Sequence, residues 1–329
     1  MLSRVLQRLV ASRRILVTGA GGQVGQELVV FLQNKYGVNN ILATDIVDKQ
    51  AKWPTYTREE RLDVLDFLAV DHLVGVFRPH RIYHLASMLS ARSEETPLKA
   101  LKVNVVGAQT MLEVSRKHEV SLYCASTLAA FGPSSPKVVS AMEIMRPTTM
   151  YGITKIHMEL LGEYYCRRYQ IDFRCSRIPV VNSEEEPGGG SAAFTVRMFY
   201  DLFRTGKTVI PVGLDAKLPI MYLPDLVRSL DDIMEAPKQR FTARVYTLDC
   251  CSVTVGDYVN EVQKLFPTGQ ITVEPDFRDA IIRSWPHATN ASLAARDWGH
   301  RLFFSLPDMI RDMHTRIQAR LQSRSGSGS

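Results

Sequence analysis

The stretch ILVTGAGGQVG, residues 15–25, decides the fold. Ile15, Leu16, Val17 and Thr18 favour extended backbone and run directly into Gly19, Gly22 and Gly25. This is a strand followed by G-x-x-G-x-x-G at the mouth of a helix. Glycines so spaced permit a tight turn, close backbone approach to a pyrophosphate, and packing of the helix on the strand. The helix N-terminus offers free N–H groups to the anion. Gln23 and Val24 lie in the same turn and join the three glycines as candidate cofactor-binding residues. The competing reading, a merely tight connection, is weakened by the position of the turn in the first strand–helix unit.

Working outward, apolar β-branched runs alternate with segments of helical period. Ile15–Thr18, Ile41–Thr44, Ile82–Ala86, Val120–Ala125 and Ile171–Ile178 read as strands, and Val24–Lys35, Phe67–Phe77, Leu98–Lys117 and Tyr151–Tyr169 as helices. Strands that are apolar on both faces predict a parallel sheet covered on each side, a doubly wound α/β fold of Rossmann type. After Pro179 the texture changes: residues 184–190 are polar and glycine-rich, and Ala193–Arg204 is helical. Leu223–Met234 and Arg244–Leu248 read as a helix and strand returning to the first sheet. Val253–Phe266, Ile271–Val273 and Leu306–Leu321 complete a smaller C-terminal substrate lobe. The expected division is 14–180 with about 220–250 for the dinucleotide domain, and 181–219 with 251–322 for the lobe.

Asp45 ends the second strand, where a carboxylate accepts bonds from the adenosine ribose hydroxyls and repels a 2′-phosphate, favouring NAD over NADP. A turn cap is the competing reading. Asp63, after the strand-like Arg61-Leu62, is placed to bond the adenine amino group, or is an exposed turn aspartate.

Composition bounds the alternatives. The 329 residues are 45% hydrophobic and 22% charged, a globular balance, and no apolar run approaches the roughly 20 residues that cross a bilayer. No membrane partner is expected. Arg4, Arg8, Arg13 and Arg14 precede the first acid, Glu27, and Arg316, Arg320 and Arg324 follow the last, Asp312. These seven account for the formal charge of +6, so the body is nearly neutral and nucleic acid is not an expected partner. Leu2, Val5, Leu6 and Leu9 recur at helical spacing with Arg4 and Arg8 between them and no acid, so residues 1–13 read as a mitochondrial presequence. A frayed basic terminus is the alternative. Residues 323–329 have the Gly/Ser composition of a flexible tail. Cys124, Cys166, Cys175, Cys250 and Cys251 show no C-x-x-C pair and no metal-ligand spacing, so no metal is expected.

The chemistry is read from Tyr151-Gly152-Ile153-Thr154-Lys155. On a helix Tyr151 and Lys155 share one face, and an ammonium near a phenol favours the phenolate. Bringing a phenol from about 10 to near neutral is worth roughly 4 kcal/mol, which one close cation and a positive nicotinamide in a dry site can supply. Tyrosine then becomes a usable base. Taken alone, Tyr-x-x-x-Lys is common on amphipathic helices. Here it follows the glycine turn, Asp45, and a strand ending in Ala125-Ser126-Thr127, whose hydroxyls lie at the carboxyl edge of the sheet, where ligands bind. His84 reads as a packed strand histidine, while Arg177 is left between an acidic partner and a phosphate.

Thr18–Gly25, His84-Leu85-Ala86, Asn104, Ser126-Thr127 followed by Phe131-Gly132, and Tyr151–Lys155 resemble the extended short-chain dehydrogenase/epimerase family over almost the whole chain. The resemblance implies that Tyr151, Lys155 and Thr127 are catalytic, with Ser126 a structural neighbour of Thr127. It implies that Leu85, Ala86, Asn104 and Pro179 join Tyr151 and Lys155 at an NAD site, and that the partner is a second copy of the chain. Ser-Trp-Pro at 284–286, Pro-Asp-Phe-Arg at 275–278 and Met221-Tyr222-Leu223-Pro224-Asp225 resemble the branch of the family that oxidises L-threonine to 2-amino-3-oxobutyrate. In that branch Ser90 would orient the amino-acid head group, Tyr151 and Thr127 would meet the hydroxyl, and Trp285 would wall the methyl, unless it is a core tryptophan. That branch commonly carries Thr-Thr after its triple glycine, whereas this chain has Ser191-Ala192, so Ser191 is assigned the substrate contact. A nucleotide-sugar epimerase or dehydratase, and a non-catalytic NAD-sensing protein, are the alternative functions.

Overall fold

The computed structural model describes residues 13–47, 57–186 and 190–326. The expected presequence up to residue 12, the stretch 187–189 and the last three residues lie outside the described residues. Seven parallel strands form the main sheet in the order Val245–Thr247, Phe173–Ile178, Ser121–Thr127, Arg81–His84, Ile15–Thr18, Ile41–Asp45 and Glu59–Arg61. The chain enters at Ile15–Thr18, builds outward to Glu59–Arg61, then crosses to Arg81–His84 and builds the other way. The doubly wound sheet expected from the sequence is therefore present, and its reversal point opens between the ends of Ile15–Thr18 and Arg81–His84.

Each face of the sheet has its own core, which is why the strands are apolar on both sides. Helices Gln23–Tyr36 and Leu223–Glu235 bring Leu28, Leu32, Leu226 and Leu230 against one face. Helices Phe67–Phe77, Gly107–His118 and Met150–Tyr169 bring Val70, Val74, Met111, Leu112 and Met158 against the other. A third core gathers Phe199, Ile220, Tyr258, Met309 and Ile310. Around it stand a three-stranded sheet, Cys251–Thr254, Lys217–Tyr222 and Val180–Asn182, and a pair, Lys207–Ile210 with Gln270–Val273. Val138–Val139 pairs with Ala288–Thr289, tying the segment after Trp285 to the loop that follows Thr127.

Several boundaries differ from the sequence reading, each for a local reason. Ile82–Ala86 ends as a strand at His84, because Leu85 and Ala86 turn to pack on the glycine loop. The single helix expected over Leu98–Lys117 is α-helical at Pro97–Leu101 and Gly107–His118 but takes the wider π form at Lys102–Val106. Such a bulge re-aims a side chain, here Asn104. Val253–Phe266 divides into strand Cys251–Thr254 and helix Val255–Leu265, because Thr254 and Asp257 form a reciprocal capping box at the junction. The last helix, Leu306–Gly326, runs into the segment whose composition reads as a tail.

Candidate active site

The glycine turn is held by contact between backbones. Gly19 has a φ of 70°, and a Cβ there would stand 2.4 Å from the Ala86 nitrogen, so a glycine is required on both counts. A Cβ at Gly25 would stand 2.4 Å from the Gly19 carbonyl oxygen, which fixes the helix close under the turn. Gly22 is the N-cap of helix Gln23–Tyr36, so the first N–H groups of that helix, Gln23 and Val24 among them, face out of its end. Asp45 accepts the Gly21 N–H at 2.9 Å and the Val47 N–H at 3.2 Å. Its carboxylate therefore stands against the turn, with acceptor positions to spare for a hydroxyl. Gln23 donates through Nε2 to the Ser183 hydroxyl at 2.6 Å, joining the turn to the segment after Val180–Asn182.

Two further expected cofactor residues also make local hydrogen bonds. Asp63 is exposed; its carboxylate takes the Leu65 N–H at 2.9 Å and its carbonyl the Asp66 N–H at 3.0 Å, the marks of a turn. Asn104 accepts the Met88 N–H at 2.7 Å and donates to the Met88 carbonyl at 3.1 Å and the Thr154 hydroxyl at 3.0 Å. Its amide braces the loop after Arg81–His84 against helix Met150–Tyr169. Leu85 and Ala86 line the turn directly, while Pro179 is buried just past the end of Phe173–Ile178.

At the next two strand ends lie the chemical groups. Thr149 caps helix Met150–Tyr169 by accepting the Gly152 N–H at 3.1 Å, which sets Tyr151 in the first turn. The Thr127 hydroxyl lies by the Tyr151 phenol. Burial pushes the phenol up to about 12, and Thr127 opposes this only in part. Lys155 is buried and donates to the Ala125 carbonyl at 2.8 Å, with its Nζ 5.5 Å from the centre of the Tyr151 ring. The ammonium is engaged by a strand carbonyl and burial dominates, so the protein's own side chains leave the phenol protonated, and of the two charges expected to bring it toward neutrality only the lysine belongs to this balance. Burial also lowers the Lys155 ammonium itself. His84 exchanges a 2.8 Å hydrogen bond with the Thr18 hydroxyl, and burial carries it down to about 3, so it is a neutral packed side chain.

The sequence reading missed Glu159. It receives Arg177 through three N–H bonds of 2.9 to 3.2 Å and also the Ser126 hydroxyl. That answers the question left open for Arg177: its partner is an acid. The signal was available, because Tyr151, Lys155 and Glu159 recur every four residues on one helix face. Ser90 begins the short helix Ser90–Glu95, which packs on Met150–Tyr169. Ser191 lies in the turn before helix Phe194–Thr205, and Trp285 is half-buried against the third core. The three expected substrate contacts thus come from separate segments. No cluster of three metal-ligating side chains occurs among the described residues.

Residues 15–248 match the profile of the NAD dependent epimerase/dehydratase family. The chain belongs to this family. Pig mitochondrial L-threonine 3-dehydrogenase is 36% identical over 307 residues, covering 91% of this chain and 81% of that protein. The solved L-threonine dehydrogenase of Phytophthora infestans superposes with a TM-score of 0.89 at 38% identity, covering 93% and 99% of the two chains. A metagenomic structure described as a monomeric L-threonine 3-dehydrogenase gives 0.87 at 31% identity, covering 93% and 99%.

NAD is the cofactor of the epimerase/dehydratase family, and the residues present fit it. The turn at Gly19–Gly25 has no side chain to bar a pyrophosphate from the helix end, and Asp45 stands beside it. If Asp45 also holds the ribose, Asp45→Ser weakens NAD by about tenfold and narrows the preference over NADP. Dissociation constants for both cofactors check this, and an unchanged ratio would leave Asp45 as a cap on Gly21 alone.

Proposed function

We propose that the protein oxidises the 3-hydroxyl of L-threonine to give 2-amino-3-oxobutyrate, with reduction of NAD⁺ to NADH and release of one proton. The observation that carries this reading is the juxtaposition of Tyr151, Thr127 and buried Lys155 at the carboxyl edge next to the glycine turn. The substrate is drawn from the relatives, which are named for threonine oxidation. When bound, NAD supplies the hydride acceptor and a second positive charge beside the phenol. Tyr151 takes the hydroxyl proton as the carbonyl forms, and Thr127 holds the same oxygen in place. Lys155, fixed by Ala125, keeps a positive charge under the ring and favours the phenolate as the proton moves. Ser90 and Ser191 bind the amino-acid head group, and Trp285 covers the methyl.

Residues 1–13 direct the chain to mitochondria, the location that the pig relative's name gives for that protein. Two copies associate through the helices whose exposed faces carry Leu98, Leu101, Ile153, Leu160 and Tyr164. Sedimentation at twice the 37.1 kDa chain mass, reduced to one chain by Leu160→Lys, is the expected result, whereas a parent already monomeric contradicts it.

Tyr151→Phe retains the ring and NAD binding but loses at least about a hundredfold in kcat, because the proton acceptor is gone. Turnover near the parent's in that variant sinks the mechanism. Threonine is oxidised faster than serine because enclosing its methyl contributes about 1 kcal/mol and places the reacting carbon. Comparison of kcat/KM for threonine, serine and 3-hydroxybutyrate in the parent and in Trp285→Ala checks the substrate: the threonine-over-serine ratio falls in the variant. Faster turnover of 3-hydroxybutyrate by the parent would refute an amino-acid substrate.

A further inference from the structure

Beneath the Tyr151 centre lies an ionic group that the oxidation itself does not use. Glu159, 1% exposed, stands two helical turns after Tyr151 and one after Lys155. Its carboxylate receives Arg177 Nε at 3.1 and 3.2 Å, Arg177 Nη2 at 2.9 Å, and the Ser126 hydroxyl. Arg177, 4% exposed, donates its remaining Nη1 to the Ala141 carbonyl at 2.9 Å. Ser126 and Arg177 are register partners on adjacent strands, and Thr127 is the next residue along. One carboxylate thereby joins the strand that carries Thr127, its neighbour, the loop at Ala141 and the helix that carries Tyr151 and Lys155. A buried ion pair adds little to stability over a well-packed apolar pair, so its presence here asks for another reason.

We propose that Ser126, Glu159 and Arg177 are positioning residues of the oxidation centre, locking the Thr127 strand end to the Tyr151–Lys155 helix while Glu159 supplies the countercharge that faces Lys155. This rests on the hydride-transfer reading of the site but not on threonine as the substrate. The electrostatic half follows from what surrounds Lys155. From the strands it meets Cys124, Cys175 and His84, and from its own helix Tyr151 and Glu159. Burial raises both thiols, raises the phenol to about 12 and lowers the imidazole to about 3, so these four are neutral at working pH. Glu159, ion-paired with Arg177, stands one turn on from Lys155 on the same helix face. Burial lowers the Lys155 ammonium, while Cys124, Cys175 and Glu159 oppose this; with both thiols neutral, removing the Glu159 charge makes Lys155 lose its proton at lower pH.

Two variants of the full chain separate geometry from charge. Ser126→Ala removes one bond and keeps the ion pair. It is expected to lower kcat about tenfold, with substrate KM and NAD affinity within about twofold and the Lys155 titration unchanged. The double variant Glu159→Gln with Arg177→Met removes both charges without stranding either. It is expected to lower kcat, to move the Lys155 midpoint and the alkaline limb of the pH–rate profile down by about one unit, and to leave cofactor binding intact. The midpoint is read without turnover, from ¹³Cε-lysine NMR with Lys155→Met assigning the signal. A parental kcat in Ser126→Ala overturns the positioning role, and this arm stands even where the double variant does not fold. A parental Lys155 midpoint in a folded double variant overturns the countercharge. A parent that oxidises no hydroxy amino acid sinks the proposed function instead, and the NMR titration then still decides the countercharge.

Discussion

The site depends first on a steric constraint: at Gly19 and Gly25, backbone meets backbone with no room for a Cβ. Because the turn lies against Leu85–Ala86, the end of the central strand and the end of the strand across the reversal are held at one distance. Because Gly25 lies against the turn, the first helix begins directly beneath it and its N-terminal N–H groups face the crevice. The hydrogen bonds of Asp45 to Gly21 and of Gln23 to Ser183 then fix the outer side of the turn. An anion site results from packing before any side chain is asked to bind the anion.

The second constraint is electrostatic. Tyr151 and Lys155 are placed where burial opposes the charged form of each. In water the pair would gain little from its proximity, whereas in this pocket every neighbouring charge acts through a low dielectric. The Ala125 carbonyl accepts from the Lys155 ammonium, and the Thr127 hydroxyl favours the ionised phenol against that burial. The protein alone thus keeps Tyr151 protonated, and the proton is made mobile only in an assembled, dry site.

Much of this was legible in the sequence, for physical reasons. Strand and helix periods are local, so the helix over Phe67–Phe77 was read to its exact ends. The glycine turn was legible because three glycines at fixed spacing have few other uses. What escaped were features set by long-range partners. Nothing near Asn104 in the chain announces that its amide bonds Met88 and Thr154 through a π-bulge. Asp63 follows a strand and also caps a turn, its carboxylate taking the Leu65 N–H, so the two readings given for it were not separable from the local sequence. The four-residue spacing put Glu159 on the face of Tyr151 and Lys155, but its burial comes from the strand pairing of Ser126 with Arg177, which a helix period does not show.

The charge distribution carries the same lesson further. The terminal arginines account for the net positive charge, yet those described are not a free basic surface. Arg13 joins Arg81 and Tyr36 on Glu235 at the amino edge of the sheet. Arg316 and Arg320 of the last helix meet Glu184 and Glu185, just after the strand that leads to Ser183. Burial opposes ionisation of Glu235, but its hydrogen bonds with Arg81 and Tyr36 and the nearby arginines outweigh it and depress the acid to about 2. A depressed carboxylate stabilises the fold at pH above its unfolded value and loses that contribution only as pH falls through the folded one. The amino edge is therefore fastened by ion pairs that persist across the neutral range. The carboxyl edge carries hydroxyls, one buried lysine and a glycine turn, with the single Glu159–Arg177 pair buried behind the Thr127 strand end. Fastening at the far edge is compatible with leaving this edge open, since the strands that end at the site are anchored where they begin.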